Sequence, residues 1–100
     1  MSSVVSTVSA RIPADREDEV IARFSAAVRR GLPERRQTNL LRGDDHLWQI
    51  VTVWNGRDDL DRYLASVQEP FAIQLFRLAG GTPQVTVMET VLESATPFWS

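Results

Sequence analysis

The chain has no cysteine, no lysine, a single histidine and no block of like charge. The lack of cysteine excludes disulfides, thiol nucleophiles and thiolate metal sites together. One histidine, His46, beside the turn residues Asp44 and Asp45 does not supply the ligand set of a common metal centre, and no metal is expected. A formal charge of −2 with no basic tail lacks the electrostatic footprint of a nucleic-acid binder. No segment reaches the roughly 18 apolar residues of a membrane span, and MSSVVSTVSARIPADRED has neither the basic nor the apolar region of a signal peptide. The expectation is a cytoplasmic protein with neither nucleic acid nor membrane as partner. No phosphate loop, glycine fingerprint or nucleophile–histidine–acid set is present.

What remains is an ordinary globular composition: 100 residues, 43% apolar and 24% charged, enough for one domain and one core. Residues 1–94 read as that domain and 95–100, with Phe98 and Trp99, as a C-terminal tail. The most informative stretch is LWQIVTVWNGRDDLDRYLASV, Leu47 to Val67. Its hydrophobic period changes from about two to about 3.6 across the turn dipeptide Asn55-Gly56. A strand, a tight turn and an amphipathic helix follow from that change. Upstream, Val4 to Ile12 alternates as a first strand, and Asp15 is placed to cap a helix that carries Glu17, Asp18 and Glu19 in its first turn and Arg29-Arg30 in its last. Pro33 blocks continuation, and Arg35 to Arg42 forms a hairpin with the Leu47 strand. Asp58, Asp59 and Asp61 start and solvate the second helix. Pro70 restarts the helix, Gly80-Gly81 stops it, and Gln84 to Leu92 supplies a last strand.

The order is βαββαβ, an α+β, ferredoxin-like arrangement with an antiparallel four-stranded sheet and its helices on one face. Leu47, Gln49, Val51 and Val53 make the other face of the third strand apolar as well. A sheet covered on one side alternates more cleanly than this. The expected partner for the bare face is a second copy of the chain, which closes a homodimeric α+β barrel.

QIVTVWNGRDDLDRYLAS resembles the central signature of the antibiotic biosynthesis monooxygenase type of dimeric α+β barrel proteins, in which a tryptophan ends the third strand and the next helix starts within a few residues. The resemblance runs from Val4 to about Glu93 and places Trp54 at the signature tryptophan. It implies oxidation of a small aromatic substrate, of anthrone or quinol type, by dioxygen with no bound cofactor, in a cleft between sheet and helices. The anthrone-oxidising branch has an asparagine four residues before that tryptophan and a tyrosine six residues after it. Here these are Ile50 and Leu60. The haem-degrading branch needs a first-strand asparagine and a later histidine ligand, where this chain has Ser6, Thr7 and Ser9 and no histidine after His46.

In such a cleft Trp48, Ile50, Thr52 and Trp54 are the expected floor, sharing one strand face. Leu60, Phe24, Tyr63, Phe71 and Phe76 are the expected walls and lid. The reaction requires a base or an anion-stabilising donor, and the candidates are Trp54, Tyr63, Arg77 and His46, with Arg42 as a further cation. The alternative is a non-catalytic homodimeric module of the same fold that binds a hydrophobic small molecule.

Overall fold

The computed structural model of the chain describes residues 3–31 and 37–92. The expectations for Pro33, for Arg35 and Arg36, and for the Phe98-Trp99 tail lie outside these residues. Four strands, β1 (Val4–Arg11), β2 (Gln37–Arg42), β3 (Leu47–Trp54) and β4 (Gln84–Glu89), form one antiparallel sheet in the order β2-β3-β1-β4. Helices α1 (Glu17–Arg30), α2 (Arg57–Ser66) and α3 (Phe71–Leu78) cover one of its faces.

The strand β3 is buried at every second residue, Trp48, Ile50, Thr52 and Trp54, which is the period-two pattern read from sequence. Helix α1 begins with an acidic turn and ends with Arg29 and Arg30 before Gly31, as the helix dipole favours. Asp15 does not cap it: a 3-10 turn, Ala14–Arg16, intervenes, and Arg16 at the N-cap makes no side-chain capping bond. Asp58 and Asp59 do occupy the first turn of α2, and Asp59 pairs with Arg62 at 3.1 Å. The last strand ends at Glu89, opposite Val4 at the start of β1, rather than at Leu92; beyond it a single rung persists, the Thr90 N–H donating to the Ser3 carbonyl at 2.8 Å, and Val91 and Leu92 leave the ladder.

The helices seal the sheet in two separate clusters. Val8, Ala10, Ile12, Trp48 and Ile50 pack against Val20 of α1 and against Leu75, Phe76 and Ala79. Of these, Phe76, Ile12, Ile50 and Val20 are fully buried, each worth roughly 1.5–3 kcal/mol in apolar area removed from water. Val4, Trp54 and Leu60 form the second cluster, with Tyr63 packed on it. Between the two clusters the helices leave the sheet partly uncovered.

Candidate functional site

The gap between the clusters is a cleft of about 90 Å3. Its floor is laid by Ser6 and Val8 of β1, Thr52 and Trp54 of β3 and Thr38 of β2. Leu60 and Tyr63 of α2 wall one side, and Phe71 and Ile73 of α3 the other. Val85 and Val87 of β4 form a rim that stays open, being 51% and 39% exposed. Among the described residues no lining side chain is charged. The volume is below the roughly 150 Å3 of an engineered apolar cavity that takes up benzene, so an aromatic ring enters only by using the open rim.

Trp54 and Tyr63 make the aromatic corner, with ring centroids 5.2 Å apart and planes tilted by 36°. The indole N–H of Trp54 donates to Ser6 Oγ at 2.9 Å, which satisfies a polar group that burial would otherwise leave unpaired. The Tyr63 oxygen accepts the backbone N–H of Phe71 at 2.9 Å. Phe71 is the first residue of α3, so its amide has no partner within the helix and the phenol supplies one. With its oxygen accepting, the phenol keeps its own proton to give. Donation into such an oxygen polarises it and makes that proton a better donor.

The structure therefore gathers Thr52, Trp54, Leu60, Tyr63 and Phe71 at the cleft. The remaining expected residues go elsewhere, and each for a geometric reason. Trp48 shares the face of Trp54, but six residues along a strand is roughly 20 Å, so the two indoles cannot line one small cleft. Trp48 instead donates its N–H to Glu17 Oε2 at 3.1 Å and lies under the Arg42 guanidinium, 5.5 Å from the ring centre. His46 sits in the exposed hairpin turn, where Asp45 and His46 have φ of 56° and 61°, and its Nδ1 meets the other Glu17 oxygen. The His46 hydrogen bond, with a second from Trp48, holds the Glu17 carboxyl below the ordinary glutamate range. His46 is thus no base for the cleft.

Arg77 is clamped on the outside by Glu69, with Nε to Oε2 at 2.9 Å and a terminal nitrogen to Oε1 at 2.7 Å. That pairing lowers the Glu69 carboxyl and raises the Arg77 guanidinium, and it engages Arg77 away from the cleft lining. Phe76 lies five residues beyond Phe71, which turns it about 140° around α3, into the core rather than over the cleft. Ile50 is buried beneath the same core cluster. Phe24 packs behind Phe71, with centroids 6.1 Å apart. Ser6 and Thr38 were missed as cleft residues. Strand parity held the signal for Ser6, which shares the face of Val4 and Val8.

No family model matches this chain, and no curated protein does. Solved structures do. A candidate antibiotic biosynthesis monooxygenase from Bordetella bronchiseptica superposes with a TM-score of 0.71 at 17% identity, over 92% of this chain and 100% of that one. SnoaB, a cofactor-independent oxygenase from Streptomyces nogalater, superposes at 0.64 with 20% identity, over 94% and 97%. The chain has the antibiotic biosynthesis monooxygenase-like fold. NE2512 from Nitrosomonas europaea, a protein of unknown function, shares this monooxygenase-like fold at a TM-score of 0.71 and 10% identity, over 97% of both chains. At such identities the likeness fixes the fold, and the reaction has to be argued from the cleft. Among the described residues no helix is long and apolar enough to cross a membrane.

Proposed function

We propose that the protein is a cofactor-independent monooxygenase-like enzyme that oxidises a small aromatic of anthrone or quinol type in the cleft beside Trp54. The observation that carries this reading is the Trp54–Tyr63 corner: an aromatic wall for a flat ring, with one phenolic proton free to donate and, among the described residues, an uncharged lining. A flat ring stacks on such a wall and enters through the rim between the helices and β4.

For a ring methylene the overall chemistry takes up one dioxygen and gives one ring carbonyl and one water. A proton leaves the methylene carbon to water, and the electron pair spreads onto the ring oxygen as an enolate. Tyr63 O–H donates to that oxygen and stabilises the charge where water is scarce, as an oxyanion donor does. The enolate passes one electron to dioxygen, the two radicals join as a carbon–oxygen bond, and the second methylene proton of the resulting peroxide anion ends on its outer oxygen as the O–O bond breaks. This leaves the carbonyl and hydroxide, which the first proton converts to water. The protein binds, orients and stabilises; the reducing electrons come from the substrate.

The uncharged lining favours a second reading, a module that binds a hydrophobic aromatic without turning it over. Among the described residues the cleft lining holds no base, and on this reading catalysis is confined to substrates acidic enough to ionise in water. Oxygen consumption separates the two. With a panel of anthrones and hydroquinones the oxygenase consumes dioxygen above the uncatalysed rate, one molecule per carbonyl formed for a ring methylene. Uptake at background across the panel, with the aromatic still bound, establishes the module instead.

The same reading pairs two copies through the open sheet face. Val5, Val51 and Val53 lie on that face, and Leu41 and Met88 there are 46% and 65% exposed. A second sheet covers such a surface economically in an isologous contact.

A further inference from the structure

The register of the sheet sets three hydroxyls in one line across the cleft floor. Thr38 pairs with Thr52, Thr52 with Ser6, and Ser6 with Val87, so the row crosses β2, β3, β1 and β4 in turn on the helix-covered face. The rows on either side of it carry no hydroxyl. Leu40, Ile50, Val8 and Val85 make one, and Trp54, Val4 and Glu89 the other. Thr52 is 7% exposed, and all three hydroxyl residues border the cleft.

Among the described residues the protons of this row do not balance. Ser6 Oγ accepts the Trp54 N–H, which leaves its own proton to give. Thr38 and Thr52 lie 2.9 Å apart and share one proton between their oxygens, so the other hydroxyl proton of the pair is uncommitted. Among the described residues neither of the two spare protons has an acceptor, and the cleft lining offers no carboxylate.

We infer that the Ser6–Thr52–Thr38 row recognises a carbonyl or oxyanion oxygen of the aromatic ligand, on the sheet side of the cleft, while Tyr63 addresses a second oxygen from the helix side. The inference rests on the reading of the cleft as an aromatic site. It narrows the preferred ligand class to rings bearing two acceptor oxygens and ranks a plain hydrocarbon of the same shape below them. It also assigns the ring orientation, with one edge on the sheet and the other on α2, to residues that lie away from position 50, where Ile50 offers no polar group.

The test uses acetophenone and its shape-matched hydrocarbon, α-methylstyrene, titrated by ligand-observed NMR against the wild type and Thr38→Val/Thr52→Val. The double substitution keeps the side-chain shape and removes both partners of one hydrogen bond, so no orphan is left in the floor. Acetophenone affinity is expected to fall about tenfold on losing the donor, with α-methylstyrene within about twofold of its wild-type value. An equal change for both probes, or no change for acetophenone, overturns the row as a recognition element. Should the double variant not fold, Ser6→Ala, which removes the other spare proton of the row, is measured instead, and a loss of about threefold confined to acetophenone is expected. Failure of the folded wild type to bind either probe overturns the aromatic site and the row with it. Oxygen uptake is measured separately: binding discrimination without uptake retains the row and removes the oxygenase.

Discussion

Replacing Tyr63 by phenylalanine removes one oxygen and acts on two observables at once. That oxygen accepts the Phe71 amide at 2.9 Å, at a helix start where the N–H has no other partner. Leaving a half-buried donor unsatisfied costs about 1–2 kcal/mol. For a domain of this size the loss lowers Tm by roughly 5–15 °C. The ring itself stays, so the contact with Trp54 and the shape of the wall persist. What the ligand loses is the one donor facing it from α2, and removing a single oxyanion donor lowers kcat about a hundredfold. KM should move little, because the stacking wall is retained. Circular dichroism gives Tm, and an oxygen electrode run well below the transition gives kcat. A variant with unchanged Tm refutes the capping role of the phenol. A variant that melts early but keeps kcat within about twofold refutes Tyr63 as the anion donor and leaves it a purely structural residue.

Three further outcomes follow from the geometry. Glu17 has its carboxyl lowered by His46 and Trp48, so its contribution is present at neutral pH and is lost as pH falls through and below about 4.3. In melting curves taken from pH 7 to pH 3, wild type should exceed Glu17→Gln at neutrality and the two should converge in acid; a gap that persists at pH 3 contradicts the pairing. At Gly81 an added Cβ meets Ile12 Cδ1 at 2.8 Å and both Ala10 Cβ and the Arg11 carbonyl oxygen at 3.0 Å, where α3 ends against β1. Gly81→Ala should cost about 1–3 kcal/mol by overpacking, read from denaturant midpoints, and a neutral result shows that this end of the sheet gives way. Val51→Glu places a carboxylate on the open sheet face; light scattering should report a drop from two copies to one, and an unchanged mass argues against pairing through that face.

The sequence was most legible where one pattern dominated. Strand β3 falls on Leu47–Trp54, the residues read as a strand, because a β-branched and aromatic run closed by Asn55-Gly56 has no competing interpretation. Side-chain neighbourhoods were harder. Parity placed Trp48 and Trp54 on one face and their six-residue spacing sets them roughly 20 Å apart, but which helix covers each end emerges only from the packing of α1 and α2. His46 and Arg77 looked available for chemistry because their partners, Glu17 and Glu69, are not adjacent to them in sequence. Ser6 was hidden as one small polar residue among apolar neighbours, and its role depends on Trp54, forty-eight positions away. Local period fixes elements; partners across the sheet fix the site.

In the proposed mode of binding an aromatic ligand sits against Trp54 and not against Trp48. Indole N–H resonances in a 15N correlation spectrum report on each, with Trp54→Phe supplying the assignment. Titration with 2-naphthol should shift the Trp54 signal, whose N–H donates to Ser6 at the cleft floor, and leave the Trp48 signal, held by Glu17, in place. A Trp54 resonance that stays fixed at saturating ligand, or one that moves only together with Trp48, contradicts the account.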